Sequence, residues 1–129
     1  MSARTVLVVD GANVVGSRPD GWWRDRAAAA ARLHAGLLAA DADTVLGAGS
    51  VVLVLEGRAR PGVPEGVTGR VETVHAPGEG DAEIVDQAVI ARDRGAPVTV
   101  VTADRGLAAR VEATGAEVVG PSWLLDRLG

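Results

Sequence analysis

The sequence predicts an α/β fold in three layers, with a mostly parallel central sheet of roughly five strands. Two observations predict it. Runs rich in Val and Leu recur at strand length, at residues 5–9, 51–55 and 98–101. Such runs fit strands covered on both faces, as in a parallel sheet. Between them lie segments with apolar residues at helical spacing, and that alternation is the mark of a parallel α/β sheet.

Thr5-Val6-Leu7-Val8-Val9 is the first strand, and it ends abruptly in Asp10-Gly11-Ala12-Asn13. Residues 16–21, with Pro19 and Asp20, read as a loop. A helix is expected from about Trp22 to Ala40, where Trp23, Ala27, Ala30, Leu33, Leu37 and Leu38 form an apolar stripe. His34 lies beside the stripe and reads as a half-buried packing residue. Trp22 and Trp23 open this helix, where they are expected to cover core rather than stack on a base. Val51–Leu55 is the second strand. Residues 58–69, with Pro61 and Pro64, read as an irregular loop, and Val71–His75 as a short strand. Pro77-Gly78-Glu79-Gly80 is a turn into a helix from about Asp81 to Arg94, with Ile84, Val85, Ala88, Val89 and Ala91 wholly or partly inward. Gly95-Ala96-Pro97 ends it as helices commonly end. Val98–Val101 is the fourth strand. Leu107, Ala108 and Val111 mark a short helix closed by Gly115, then come a strand at Glu117–Val119 and a last helical turn or two from Pro121 to Leu128.

The chain has 129 residues, 47% of them apolar, which suits one compact domain spanning residues 1–129. No internal repeat or low-complexity linker divides it. Phe, Tyr, Lys and Cys are absent. Without Cys there are no disulfides, no thiolate catalysis and no zinc–thiolate site. The all-Arg basic set reads as codon bias. The formal net charge of -4 argues against nucleic-acid binding through a broad basic surface. It is compatible with an enzyme whose own carboxylates hold metal ions. No signal peptide or membrane-length apolar run is expected, so a cytoplasmic location is the default.

In a parallel sheet all strand C-termini share one edge, and ligands bind outside it where the strand order reverses. Asp10, Glu56 and Asp104 each sit at or just beyond the end of a Val/Leu run, and Asp81 can lean over the same edge from the start of its helix. If the first and fourth strands are neighbours, their axes lie about 4.8 Å apart. Carboxylates gathered there repel without a counter-charge. Hard cations such as Mg²⁺ take oxygen ligands, commonly one or two carboxylates plus substrate phosphate. An ion so placed would bind a phosphate oxygen, activate a water and stabilise the leaving oxygen of an in-line displacement. No Ser/His/Asp or Cys/His arrangement competes, and neither His34 nor His75 has a convincing partner. Asp81 and Asp104 also fit helix N-cap positions, where Asp is favoured simply for accepting backbone N–H bonds. Asp10 lacks that explanation, because no obvious helix follows it. Asn13 also suits a turn, and Glu56 ranks below the three aspartates.

Asp10-Gly11-Ala12-Asn13-Val14-Val15-Gly16 resembles the opening motif of the NYN branch of the PIN-like nucleases. Gly78-Glu79-Gly80-Asp81 resembles that family's central acidic motif, and Thr102-Ala103-Asp104-Arg105 its closing one. The resemblance runs in order over essentially the whole chain. It implies a PIN-like, Rossmann-like fold and a metal-dependent ribonuclease, with Mg²⁺ or Mn²⁺ held by Asp10, Asp81 and Asp104 and with Asn13 at the same site. A further acidic member expected of PIN domains is open among Glu56, Glu79, Glu83 and Asp86. Thr102 is a candidate to hydrogen-bond a ligand, and Arg18, Arg24 and Arg105 are candidate phosphate contacts. RNA is the expected partner, single-stranded in preference to duplex, since the chain offers no broad basic face to hold a duplex. A homodimer or protein partner stays open. Two rival readings use the same edge: a phosphatase or nucleotide hydrolase, and a non-catalytic module that binds RNA or protein.

Overall fold

Val6–Asp10 forms β1, and the sheet grows outward from it on both sides. The structure, a computed structural model, describes residues 4–129. Six strands line up as β3-β4-β2-β1-β5-β6. They are β2 (Ser50–Leu55), β3 (Gly66–Thr68), β4 (Val71–His75), β5 (Val98–Val101) and β6 (Glu117–Val119) beside β1. All neighbours run parallel except β3, which is antiparallel to β4. The chain leaves β1 toward β2 and β4, then returns to the other side of β1 as β5 and β6. The order therefore reverses at β1/β5, and the register Val9↔Val101 brings the C-terminal ends of these two strands level.

The helices divide between the two faces. Leu7 and Val9 of β1 pack with Val14 of α1 (Gly11–Gly16), Leu33 and Leu37 of α2 (Arg26–Ala39) and Leu124 of α5 (Pro121–Leu128). Val8 points the opposite way, to Ile84 and Ala88 of α3 (Gly80–Asp93) and Leu107 and Val111 of α4 (Arg105–Glu112). This is the alternation of side chains along a strand, with both faces apolar because both are covered. Among the described residues, no helix is long and apolar enough to cross a membrane.

Four expectations need correction. The sheet has six strands rather than about five. The extra strand is β3, an exposed three-residue edge whose sequence carries no apolar alternation. It is pinned from outside: Glu65 accepts a hydrogen bond from the His75 backbone N–H at 2.9 Å, and the His75 ring Nε2 lies 2.7 Å from the Val63 carbonyl oxygen. His75 thus has structural partners that its sequence context hides. Second, residues 58–69 are not wholly irregular, since Gly57–Gly62 is a 3-10 helix. It passes so near α2 that a Cβ on Gly62 would run into the Ala27 backbone carbonyl.

Third, the helix expected from Trp22 is broken. Trp22–Arg24 is a 3-10 turn, and Asp25 starts α2 by accepting from Ala28 N–H at 2.9 Å. An aspartate able to cap competes with continuation of the helix through it. Trp23 accordingly projects outward instead of covering core, at 56% exposed, while Trp22 is half-buried. Fourth, a helix does follow Asp10 directly. It is α1, one of whose two buried residues, Gly11, touches β2 so closely that a Cβ there would lie 2.6 Å from the Val54 carbonyl oxygen. Two glycines and two β-branched valines in six residues conceal a helix from periodicity.

Candidate functional site

Asp10 stands at the end of β1, 7% exposed, at the point where the strand order reverses. Its Oδ1 accepts from the Asn13 backbone N–H at 3.3 Å, so it is also the N-cap of α1. Its Oδ2 accepts from the Thr102 hydroxyl at 2.9 Å. Thr102 is buried just past β5, and its Oγ1 in turn accepts from the Asp104 backbone N–H at 3.1 Å. The Asn13 side-chain oxygen accepts from Ala103 N–H at 2.8 Å. The first and last motifs of the sequence are thus laced together by hydrogen bonds between Asp10, Asn13 and residues 102–104.

The second acidic group comes from across the sheet. Glu56, following β2, accepts from the Gly80 N–H at the start of α3. That bond satisfies a helix N-terminal donor which the local cap, Glu79, leaves alone, since Glu79 makes no side-chain capping bond. Gly80 lets the two meet closely: a Cβ on it would lie 2.6 Å from Glu56 Oε2, so the Glu56 side chain would have to shift. Asp81 therefore occupies the first turn of α3 rather than its cap, which removes the capping explanation for that residue. Asp104, by contrast, is a cap: its Oδ1 accepts from Leu107 N–H at 2.9 Å.

Burial raises the Asp10 carboxyl from 3.8 to about 6. The hydrogen bonds from Thr102 and Asn13 lower it, and the charges of Asp81 and Glu56 raise it further. Among the described residues, the ion pairs are Arg4–Asp43 and Arg32–Asp20, so none of these carboxylates is in an ion pair. Nor do any three His, Cys, Asp or Glu side chains there come close enough to hold an ion among them. Asp10, Asp81 and Asp104 are thus brought to one edge without forming a closed cage. Of the four further acids considered, Glu56 is the one that acts electrostatically on Asp10. Glu79, Glu83 and Asp86 line a hollow of about 270 Å³ along α3 together with Asp81 and Arg110.

Thr102→Val tests the lacing. It removes the hydroxyl that donates to Asp10 and accepts from Asp104 N–H. The loss is expected to raise the Asp10 pKa above its wild-type value, because that donor favours the ionised form. It is also expected to lower stability by about 1.5–3 kcal/mol, as for hydrogen bonds to charged groups. NMR titration of the Asp10 carboxyl and a urea melt check the two effects.

The fold has known counterparts. Rae1 (YacP) from Bacillus subtilis is similar over 95% of this chain and 72% of its own, at 19% identity and a TM-score of 0.74. Its W164L mutant matches over 95% of this chain and 73% of its own, at 19% identity and a TM-score of 0.71. No family model matches the chain. No curated protein matches it. At that identity the likeness to Rae1 is one of fold.

The arginines expected to contact phosphate are scattered. Arg18 lines a separate recess with Asp20 and Arg32, Arg24 lies over the Trp23 ring at 5.8 Å from its centroid, and Arg105 is exposed at the start of α4. A cation that was not anticipated stands nearer. Arg26 lines a groove of about 400 Å³ that also touches Gly11, Ala12, Trp22 and Glu56. The interleaving of Trp and Arg in Trp22-Trp23-Arg24-Asp25-Arg26 was the available signal.

Proposed function

We propose that this protein is a metal-dependent ribonuclease of the NYN branch of the PIN-like superfamily, hydrolysing phosphodiester bonds of single-stranded RNA with Mg²⁺ or Mn²⁺. One observation carries the reading: a buried aspartate at the strand-order reversal, its carboxyl pushed up to about 6, beside two further carboxylates, none of the three in an ion pair among the described residues. The donor set is all oxygen, which suits a hard cation that keeps several waters and needs only one or two carboxylates. The order of the three motifs along the chain and a fold shared with Rae1 are consistent with it.

Asp10 and Asp81 would hold the ion, and Asp104 adds negative charge at the same edge. When bound, the ion supplies a Lewis acid for the phosphate and lowers the pKa of water so that it attacks near neutral pH. Thr102 orients Asp10. Asn13 ties the loop before α4 to α1, and Glu56 fixes the N-terminus of α3, and with it Asp81. Hydrolysis forms one bond from water oxygen to phosphorus and breaks the bond to the leaving ribose oxygen.

The test is cleavage of labelled single-stranded RNA, duplex RNA and a small aryl phosphate, each with Mn²⁺, with Mg²⁺ and with chelator. The expected result is cleavage of the single strand faster than the duplex, lost in chelator and restored by Mn²⁺. Full activity in chelator would overturn the metal mechanism. Faster turnover of the small ester than of RNA would overturn the ribonuclease reading in favour of a phosphatase. RNA binding without cleavage under all conditions would leave a non-catalytic module.

A further inference from the structure

The groove beside the carboxylates has a composition that the hydrolytic chemistry does not use. Its volume is about 400 Å³, and its wall combines Gly11, Ala12, Val15 and Ala59 with the indole of Trp22 and the guanidinium of Arg26. Trp22 is held from two sides. Its six-membered ring lies beside Gly16, where a Cβ would be 3.7 Å away, and its partner Trp23 meets it edge-on at 6.0 Å between centroids. Arg26 sits over the Trp22 ring at 5.3 Å from the centroid. A half-buried indole kept in place at the lip of a groove, with a planar cation beside it, is an unusual use of one of the three Trp residues in a chain with no Phe or Tyr.

The groove is continuous with the proposed site: Gly11 directly follows Asp10, and Glu56 belongs to both. Net charge supplies a second argument. At -4 the chain gains little from phosphate attraction, so affinity for a strand has to come largely from contacts insensitive to charge. Base–aromatic stacking is such a contact, and every nucleobase has a face for it. Arginine planes serve the same purpose beside single-stranded RNA.

We infer that this groove is a nucleobase subsite, in which a base of the substrate strand next to the scissile phosphate packs against the Trp22 indole beside Arg26. The inference rests on the proposed ribonuclease function for its biological substrate, but the subsite itself is defined without metal or phosphate. Ala12 and Val15 add apolar lining, and Gly11, Gly57 and Gly78, which carry no side chains, complete the wall.

The test uses neutral nucleosides, which carry no phosphate, so that binding is separated from cleavage. Adenosine, guanosine, cytidine and uridine are titrated in chelator into the full chain, followed by NMR of the indole and backbone N–H groups. Saturable shifts at Trp22, Ala12 and Gly57 are expected with at least one nucleoside. Trp22→Ala is expected to weaken that binding about tenfold, on the scale of one lost stacking contact. Trp22→Phe should keep most of it, and Val67→Ala should leave it unchanged, because Val67 lies exposed on the edge strand β3 and does not line the groove. Thermal melts establish that each variant is folded. Absence of saturable shifts with all four nucleosides, or equal affinity in wild type and Trp22→Ala, would overturn the subsite. Nucleoside binding in a protein that cuts no RNA would overturn the nuclease reading and leave the subsite standing; RNA cleavage without nucleoside binding would do the reverse.

Discussion

Asp10→Asn is expected to abolish function while making the metal-free protein more stable at neutral pH. Removing the buried carboxylate takes away a negative oxygen donor, and an ion's charge stabilisation is worth several kcal/mol in the transition state. RNA cleavage should therefore fall at least about a hundredfold, since each 1.36 kcal/mol is a factor of ten. The fold should tolerate the change. An amide in the same place accepts from Asn13 N–H through its oxygen and donates to Thr102 Oγ1 through its nitrogen.

The pH dependence has a definite sign. Burial first, and then the charges of Asp81 and Glu56, raise the folded-state pKa from 3.8 to about 6. The folded protein thus holds this proton more tightly than the unfolded chain does. The stabilisation is fully present below about pH 4 and is lost as pH rises through about 6. The difference between the two values corresponds to about 3 kcal/mol at neutral pH. Urea melts of wild type and Asp10→Asn in chelator, at pH 4.5 and pH 7.5, check this. The variant should overtake wild type between the two pH values. A constant difference between them would show that Asp10 does not carry the shift.

Gly11→Ala should be as damaging to the fold as Asp10→Asn is to function. The added methyl would lie 2.6 Å from the Val54 carbonyl oxygen and 2.9 Å from Leu55 Cδ2. Backbone cannot swing aside as the end of a long side chain can, so α1 would be pushed off β2. Overpacking of this kind typically costs about 1–3 kcal/mol. Because the displaced helix carries Asn13 and is capped by Asp10, cleavage should fall along with stability. A melting midpoint within error of wild type would show that α1 shifts freely on the sheet. Gly16→Ala is the control, since its nearest neighbour would be 3.7 Å away.

The sheet's parallel strands were legible because they are buried on both faces. The valine- and leucine-rich runs in β1, β2 and β5 leave few alternatives. What escaped was decided by partners distant in sequence or by single side chains. The edge strand β3 exists through pairing with β4 and pins at Glu65 and His75, none of which alters local periodicity. The helix at Trp22 was mis-started because Asp25 supplies a cap to a segment that otherwise reads as continuous. In the site, Asp10, Asn13 and Thr102 were visible from their positions after strands. Glu56 was underrated because its bond to Gly80 spans 24 residues. Arg26 was missed because its position depends on the break before α2. The capping argument discriminated in an unexpected direction, since Asp10 and Asp104 are caps and Asp81 is not.

The lacing of the site has a consequence for when it comes into being. The bonds from Thr102 to Asp10 and from Ala103 to Asn13 join residues 92 and 90 positions apart. A growing chain that has emerged only as far as α3 carries Asp10, Glu56 and Asp81 but lacks the hydroxyl that orients the first of them. The strand that brings this hydroxyl is also the one that covers the open edge of β1. If the chain cuts RNA as proposed, a nascent or half-folded form is inactive, and competence arrives only when the residues after α3 have docked.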